Sequence, residues 1–284
     1  SLVAGEDADG DGATNGEEAS SGTDPFDSMS RVRASIVTMT DTQALLEVSS
    51  QPGKRYRVWR ASSPSGPWEA SGMTVSAADE TLQLWTWRSD NREFYRVLVS
   101  DKDSDGDGLS DWDELQFAGF DPDNDDSFAT GTPNSDYTIA SEMLQAVGAG
   151  LVTANVPSPA AYEKEGTPAI VTISRDTSVE FPITVFLHVS GGGNPTKSSA
   201  SASDYVLKDG DGNPVGRRLV IPAGASSADL HIVPIADNLP EVPEEIHLSI
   251  GAAEVAVVTV RDAIPTPDNQ NFFLATLRPV FGTG

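Results

Sequence analysis

Residues 103–114 read DSDGDGLSDWDE, and residues 7–18 repeat the same spacing as DADGDGATNGEE. Both copies carry carboxylates at positions 1, 3 and 5, a glycine at position 6, a polar side chain at position 9 and a glutamate at position 12. Side chains at alternate positions of a tightly curled loop point toward its centre. The two stretches therefore predict loops that gather oxygen atoms around a point, and they divide the chain into separate segments.

Ca²⁺ suits such a cluster because it takes six to eight oxygen ligands at roughly 2.3–2.6 Å. The glycine permits the sharp turn, and the whole pattern has the ligand spacing of an EF-hand-type loop. A solvated acidic linker is the alternative, but two full matches with the glutamate in register favour calcium. The predicted ligands are the side chains of Asp7, Asp9, Asp11, Asn15, Glu18, Asp103, Asp105, Asp107, Asp111 and Glu114, and the backbone carbonyls of Ala13 and Leu109.

A complete EF-hand has a helix on each side of its loop, and this chain has room for a helix on one side only. Too few residues precede the first loop, and residues 92–100 before the second loop have the composition of a strand. Short helices are predicted after the loops, at Glu17–Ser21 and Trp112–Ala118, with Gly22 and Gly119 ending them as C-cap residues.

In each copy the DxDxDGxxxxxE loop is followed by a GxDP turn, a layout that resembles the thrombospondin type 3-like calcium repeats of secreted bacterial proteins. The resemblance implies that Asp24, Asp27, Asp121 and Asp123 add ligands. The alternative is that these four residues only form turns.

The net charge of −25, from 43 acidic and 18 basic residues, lies mostly in the two loop segments. Residues 1–30 hold eight acids and no base, and residues 101–127 hold eleven acids and one lysine, which gives −8 and −10. Bound calcium would cancel much of this charge. No basic patch exists, so nucleic-acid binding is disfavoured.

The chain of 284 residues contains no cysteine and no apolar run long enough to span a membrane, so we expect no membrane insertion. A secreted protein without disulfides needs another source of stability, and calcium supplies one outside cells. The chain begins with serine rather than methionine, which suggests that a signal peptide or more protein precedes it. We therefore expect an extracellular or cell-surface location.

Residues 31–100 alternate apolar and polar side chains, which predicts a small β-sandwich. The pattern PGKRYRVWRASSPSGPW…FYRV resembles reduced fibronectin type III-like modules of bacterial surface proteins. Trp59, Trp68, Trp85 and Trp87 are predicted to fill its core, and a sugar-stacking platform is the alternative. Trp85 and Trp87 share one face of a strand.

Residues 128–147 are predicted to be a linker with at most one short helical turn, and residues 148–263 an immunoglobulin-like sandwich of seven strands. The strands are centred on residues 151–156, 169–174, 183–189, 218–221, 228–233, 246–250 and 256–260. The fold class is therefore all-β, with tandem immunoglobulin-like β-sandwiches joined by EF-hand-like calcium-binding loops with short helices. The DGDGN run at 209–213 lacks the position-6 glycine and the closing glutamate, and predicts a hairpin turn.

The runs AYEKEG at 161–166, SDY at 203–205, IADNLPEVPE at 235–244 and VTVRD at 258–262 resemble a Calx-β domain. The family binds calcium at one end of its sandwich. The resemblance implies ligands at Glu163, Asp204, Asp237, Glu241 and Asp262. Ala236 and Ala263 replace acids that calcium-binding members often carry, so one ion or a weak site is expected.

Residues 264–284 form a C-terminal tail with the apolar run FFLATLRPVF at 272–281, which predicts a strand. The strand has three explanations: it begins a further domain, pairs with its own chain, or adds to a sheet of a neighbouring copy.

The sequence contains no motif of a catalytic site, since its three histidines alternate with apolar residues within predicted strands and it has no HExxH, GxSxG or phosphate loop. We therefore expect no enzyme. The tandem of β and calcium modules without a catalytic motif favours a calcium-stabilised extracellular structural or adhesive protein, such as a self-assembling filament or surface-layer subunit. Its expected partners are calcium, other copies of itself, surface proteins or glycans. A carbohydrate-binding accessory region of a larger secreted protein is the alternative.

Overall fold

The computed structural model describes residues 3–89, 92–191, 198–199, 204–236, 242–251 and 253–263, and it divides into two compact units. Unit 1 is Ser1–Glu142 and unit 2 is Met143–Gly284. Within the described ranges, no helix has the length and apolar character needed to cross a membrane.

Six strands in unit 1 form two antiparallel three-stranded sheets, one ordered β1-β2-β5 and the other β4-β3-β6. The strands are β1 (Ala34–Met39), β2 (Gln43–Ser49), β3 (Lys54–Ala61), β4 (Glu69–Ser76), β5 (Thr81–Trp87) and β6 (Phe94–Asp101). Two short helices belong to the acidic loops, α1 (Asn15–Ser21) and α2 (Asp111–Glu114).

The core of unit 1 is formed by side chains that alternate along strands of both sheets. Leu46 and Val48 of β2, Tyr56 and Val58 of β3 and Leu84 of β5 are buried in one cluster. Because successive side chains of a strand point to opposite faces, this alternation fixes which face of each sheet is inside. The strands therefore form the sandwich that the sequence predicts.

The prediction that four tryptophans fill this core is wrong. Trp85 is 52% and Trp87 is 59% exposed, because both lie on the outer face of β5 while Leu84 and Thr86 point inward. Trp59 and Trp68 are half-buried and lie near Arg96, whose Cζ is 5.6 Å and 4.4 Å from their ring centroids. Aliphatic side chains and Tyr56 supply the core instead.

Most of the predicted linker at residues 128–147 belongs to a third helix, α3 (Ser135–Gly148), rather than to a linker with one helical turn. Ile139, Met143 and Ala146 are buried and spaced at i, i+4 and i+7, which is the apolar stripe of an amphipathic helix. The helix ends before Gly150, which has a positive φ of 73°. The apolar stretch in this part of the sequence is short and follows a polar stretch, so the sequence predicts no more than one helical turn here.

Helix α2 is also shorter than predicted, because it ends at Glu114 rather than Ala118 and its C-cap is Leu115. Gly119 has a positive φ of 90° but lies in the turn that follows, so it does not cap the helix. Helix α1 matches the prediction at its C-terminus, where Gly22 caps it in the left-handed conformation with a φ of 75°.

Unit 2 is a second sandwich, with one sheet ordered β13-β10-β15-β16-β8, to which β11 is added beside β15, and another ordered β12-β14-β9-β7. Its strands are β7 (Val152–Ser158), β8 (Ala160–Tyr162), β9 (Ala169–Arg175), β10 (Ile183–Gly191), β11 (Ser198–Ser199), β12 (Tyr205–Asp209), β13 (Arg218–Ile221), β14 (Ser227–Pro234), β15 (Glu244–Ile250) and β16 (Ala253–Arg261). All seven predicted strands are present. Residues 209–213 form the predicted turn, in which the Asp209 amide donates to the Asn213 carbonyl at 2.9 Å.

A buried arginine ties unit 2 together where β9 ends. Arg175 is 7% exposed and donates through its guanidinium to the carbonyl oxygens of Ala225, Phe181 and Pro222 at 2.9, 2.6 and 3.2 Å. Burial lowers the pKa of this guanidinium. The predicted C-terminal strand at 272–281 lies outside the described residues.

Candidate metal centres

The first loop is wound by its own carboxylates. Asp7 accepts hydrogen bonds from the amides of Gly10 and Gly12 at 2.7 and 3.0 Å, and Asp11 accepts from Ala13 at 2.8 Å. Gly12 has a φ of 97°, which other residues rarely adopt. Each aspartate at positions 1, 3 and 5 thereby places a carboxylate oxygen within 4.8 Å of the others.

The second loop repeats this geometry bond for bond. Asp103 accepts from the amides of Gly106 and Gly108 at 2.7 and 3.3 Å, and Asp107 accepts from Leu109 at 2.6 Å. Gly108 has the same φ of 97° as its counterpart. The carboxylates of residues 103, 105 and 107 again lie within 4.8 Å of one another.

The closing glutamates are positioned by the helices that follow the loops. Thr14 caps α1 in a capping box with Glu17, and Ser110 caps α2 by accepting from the Asp113 amide. These caps start each helix so that Glu18 and Glu114 point inward, and both are fully buried. Neither carboxylate receives a hydrogen bond at either oxygen.

Eight buried carboxylate oxygens in the two loops lack a hydrogen-bond donor. They are Oδ2 of Asp9, Oδ2 of Asp11, both Oε atoms of Glu18, Oδ2 of Asp105, Oδ1 of Asp111 and both Oε atoms of Glu114. A buried carboxylate without a partner costs several kcal/mol, so native proteins pair it or bind a metal there. The residues present thus fit a hard cation that contacts oxygen alone.

The raised pKa values of the closing glutamates in both loops also favour a cation site. Burial, and after it the negative charges of Asp105 and Asp107, raise the pKa of the Glu114 carboxyl to about 8. Burial also raises the pKa of Glu18, with the charges of Asp9 and Asp11 adding to the effect. A bound divalent cation would reverse these shifts, because it replaces repulsion with attraction.

The two loops differ at position 9. The Asn15 amide donates to the Val3 carbonyl at 2.8 Å and accepts from the Ala8 amide at 3.1 Å, so this side chain fastens the loop to the residues before it. In the second loop, Oδ2 of Asp111 accepts from Lys102 at 2.7 Å and from Ser104 at 2.9 Å. Its other oxygen is left unpaired and buried.

The flanking acids form turns. Asp24 accepts from the Phe26 amide and Asp27 from the Met29 amide, both at 3.0 Å, and Asp121 accepts from the Asp123 amide at 3.2 Å. These bonds favour the turn-forming alternative for the three residues.

A further acid, beyond the five predicted acidic ligands of the second loop, is not predicted from the sequence. Asp136, in the first turn of α3, is fully buried and accepts from the Ser127 amide at 3.0 and 3.2 Å. Its charge raises the pKa of both Asp107 and Glu114, and the next amide, of Tyr137, donates to Asp107 at 3.2 Å. No sequence spacing indicates this contact, since it depends on the helix that replaces the predicted linker.

In unit 2, parallel pairing of β8 with β16 brings two of the predicted acids to the same end of the sandwich. The Glu163 amide donates to the Arg261 carbonyl at 2.9 Å, and the Lys164 amide donates to the Asp262 carbonyl at 2.8 Å. Asp204 precedes β12 and accepts at its carbonyl from Ile235 at 2.8 Å. Asp237 and Glu241 lie outside the described residues. Of the residues the structure describes, only the two loops bring three metal-ligating side chains together.

Comparison with known proteins identifies the loop segments. Residues 7–28 and 103–119 match the family model of the bacterial TSP3 repeat, which confirms the resemblance of both acidic loops to type 3 repeats. No curated protein matches the chain.

Several solved structures align with parts of the chain. The apo form of the Calx CBD1 domain aligns at 16% identity and a TM-score of 0.27, over 40% of this chain and 99% of that one. A lipoprotein from Bacteroides thetaiotaomicron aligns at 12% identity and 0.25, over 47% and 91%. A glycosyl hydrolase family 2 member from Bacteroides cellulosilyticus aligns at 9% identity and 0.22, over 78% and 23%. These values are too low to carry an argument about this chain.

Proposed function

We propose that this chain is a calcium-stabilised structural region of a bacterial extracellular or surface protein, without catalytic activity. One observation carries the proposal: the eight buried carboxylate oxygens that lack hydrogen-bond donors, gathered in two loops whose aspartates at positions 1, 3 and 5 are arranged alike. Calcium provides what these oxygens lack, and its binding energy would become folding energy for the surrounding unit.

Calcium is the cation that this donor set favours. The ligands are carboxylates and carbonyls, which are hard oxygen donors, and neither loop contains the histidine or cysteine that zinc or copper prefers. Magnesium demands six near-ideal positions and keeps its waters, whereas a loop with a bidentate glutamate at position 12 suits the larger and more flexible calcium sphere.

The proposed ligands in the loops keep the EF-hand order. The aspartates at positions 1, 3 and 5 bind through side chains, the residue at position 7 through its carbonyl, position 9 directly or through water, and the glutamate through both oxygens. For unit 2 we propose a weaker calcium site at the sandwich end formed by the acids that the Calx-β resemblance implies.

A structural role follows from where the loops lie in unit 1. Arg31 connects the first loop to the start of the sandwich by donating to the Asp11 carbonyl at 2.5 Å, and Lys102 connects β6 to the second loop through Asp111. Calcium in either loop would therefore hold the sandwich as well as the loop. Extracellular calcium is high enough to fill sites of roughly 10⁻⁴–10⁻³ M affinity.

The decisive measurement is calcium titration by calorimetry together with thermal unfolding in calcium and in EGTA. All five tryptophans lie in unit 1, so their fluorescence reports the unfolding of that unit. We expect binding in both loops and a melting temperature several degrees lower in EGTA. Glu18→Gln should abolish binding in the first loop, and Glu17→Gln, which changes the exposed neighbour, should not. An equal melting temperature in both buffers would contradict the proposal.

A carbohydrate-binding role is the second candidate, and the exposed pair of Trp85 and Trp87 favours it. Both indoles project from the outer face of β5, where they are free to stack on sugar rings. A glycan array with the wild-type chain and with Trp85→Ala plus Trp87→Ala tests this role, because binding should require the pair.

Self-association into filaments is a further part of the structural proposal, and electron microscopy with and without calcium tests it.

A further inference from the structure

The two acidic loops of unit 1 meet at one side chain, Trp112, which is position 10 of the second loop. Its indole lies directly against Gly22, since a Cβ added there would be 2.5 Å from Nε1 and 2.7 Å from Cε2. Gly22 caps α1, and its amide donates to the carbonyl of Glu18, the closing residue of the first loop. The tryptophan of one loop thus contacts the helix end that positions the last ligand of the other.

The backbone of Trp112 is held as closely by the sandwich. A Cβ on Gly53 would lie 2.6 Å from the Trp112 amide nitrogen, so only glycine fits before β3. The ammonium of Lys54 lies 4.6 Å from the centroid of the indole ring. Lys54 is buried and also forms an ion pair with Asp101, which ends β6 directly before the second loop. The sandwich therefore fixes the position of Trp112.

Trp112 is also connected covalently to the proposed ligands of its own loop, because it lies between them in the sequence. It follows Asp111 and precedes Glu114 by half a helical turn, and all three belong to α2. Calcium that orders α2 around Glu114 would order the indole, and the indole would in turn hold the C-cap of α1. Calcium in the first loop would likewise order the C-cap of α1, and through it the indole of Trp112 and helix α2.

We infer that Trp112 is a positioning residue that couples calcium binding in the two loops, so that occupancy of one raises the affinity of the other. The inference rests on the proposed calcium function. When one ion has already ordered α2, Trp112 and the C-cap of α1, the second ion binds without the entropy cost of that ordering. Its affinity is therefore higher, and no large change in structure is needed. Coupling is reciprocal, and typical couplings change affinity by about 5-fold to 150-fold.

A double-mutant cycle tests this inference, with calcium affinity at the second loop as the readout. Calorimetry gives that affinity in the wild type, in Glu18→Gln, in Trp112→Ala and in the double variant. We expect Glu18→Gln to lower the calcium affinity of the second loop about fivefold or more when Trp112 is present. In the Trp112→Ala background it should have no such effect.

Trp85→Ala is the matched control, because it removes an exposed indole and should leave the coupling intact. If Trp112→Ala does not fold, the effects of Glu18→Gln on the second loop and of Glu114→Gln on the first still measure coupling in the native background. If the two loops bind calcium independently, the inference is wrong but the proposed function is not affected. Absence of calcium binding in both loops would overturn the proposed function, and the inference with it.

Discussion

Replacing Glu114 by glutamine should change the stability of unit 1 in opposite directions with and without calcium. In the calcium-free fold, burial and neighbouring charges hold the Glu114 pKa at about 8, against 4.5 for the ordinary carboxyl. At pH 7 the unfolded chain ionises this group while the fold keeps it mostly protonated. At about 1.4 kcal/mol per pKa unit, the gap from 4.5 to 7 destabilises the calcium-free fold by at most about 3.4 kcal/mol.

Glutamine has the same shape and no charge, so Glu114→Gln should stabilise the calcium-free protein by about 1–3 kcal/mol. In saturating calcium the variant should lose stability, because one neutral oxygen replaces two charged ones. A loss of about 100-fold in affinity corresponds to about 2.7 kcal/mol.

The assay is urea unfolding followed by tryptophan emission at pH 7, in EGTA and in calcium, with calorimetry for the affinity. Glu17→Gln is the control, since Glu17 is an exposed capping residue whose carboxylate accepts from Thr14 and faces no other acid of the loop. It should shift stability by less than about 1 kcal/mol, with the same sign in both buffers. The reasoning is refuted if Glu114→Gln changes the free energy of unfolding in the same direction in both buffers, or if it leaves the calcium affinity unchanged.

Three further predictions concern pH, the second sandwich and the exposed indoles. In EGTA, unit 1 should lose stability as pH rises from about 5 to 8, because the fold binds a proton at Glu114 that the unfolded chain releases near 4.5; saturating calcium should flatten the profile, and a flat profile in EGTA would contradict the pKa assignment. Arg175→Leu should destabilise unit 2 by about 3 kcal/mol, because three carbonyls lose their donor; far-UV circular dichroism should detect the loss while tryptophan emission from unit 1 stays unchanged. Trp85→Ser with Trp87→Ser should change the unfolding free energy of unit 1 by less than about 1 kcal/mol, since both indoles are more than half exposed; a larger loss on urea unfolding would mean that they support the core.

The loops and most strands could be predicted from sequence because their signals are local. The six-residue core of each loop fixes its own turns through side chain to backbone bonds, such as that from Gly12 to Asp7. The alternation of apolar and polar side chains similarly predicts the sandwich over residues 31–100, to which β2, β3, β5 and β6 belong. Strands β1 and β4 carry weaker sequence signals, because β1 is an edge strand with every residue exposed and β4 has Gly72 in its middle.

The tryptophans show where local signals fail. Alternation correctly placed Trp85 and Trp87 on one face of β5, but the choice between the inner and outer face depends on what packs against the sheet. The pairing of Trp59 and Trp68 with Arg96 depends on strand register, since Trp59 lies opposite Arg96 across the β3–β6 ladder. An aromatic residue in a strand therefore does not by itself predict a core position.

The sequence by itself determined the number of acidic loops, their ligand spacing and the all-β class, because carboxylate spacing and side-chain alternation act over a few residues. Only the tertiary structure decided that Trp112 lies against Gly22, that Asp136 approaches the second loop and that Glu114 is fully buried. Each of these depends on segments far apart in the chain, which the packing of α1, α3 and the sandwich brings together.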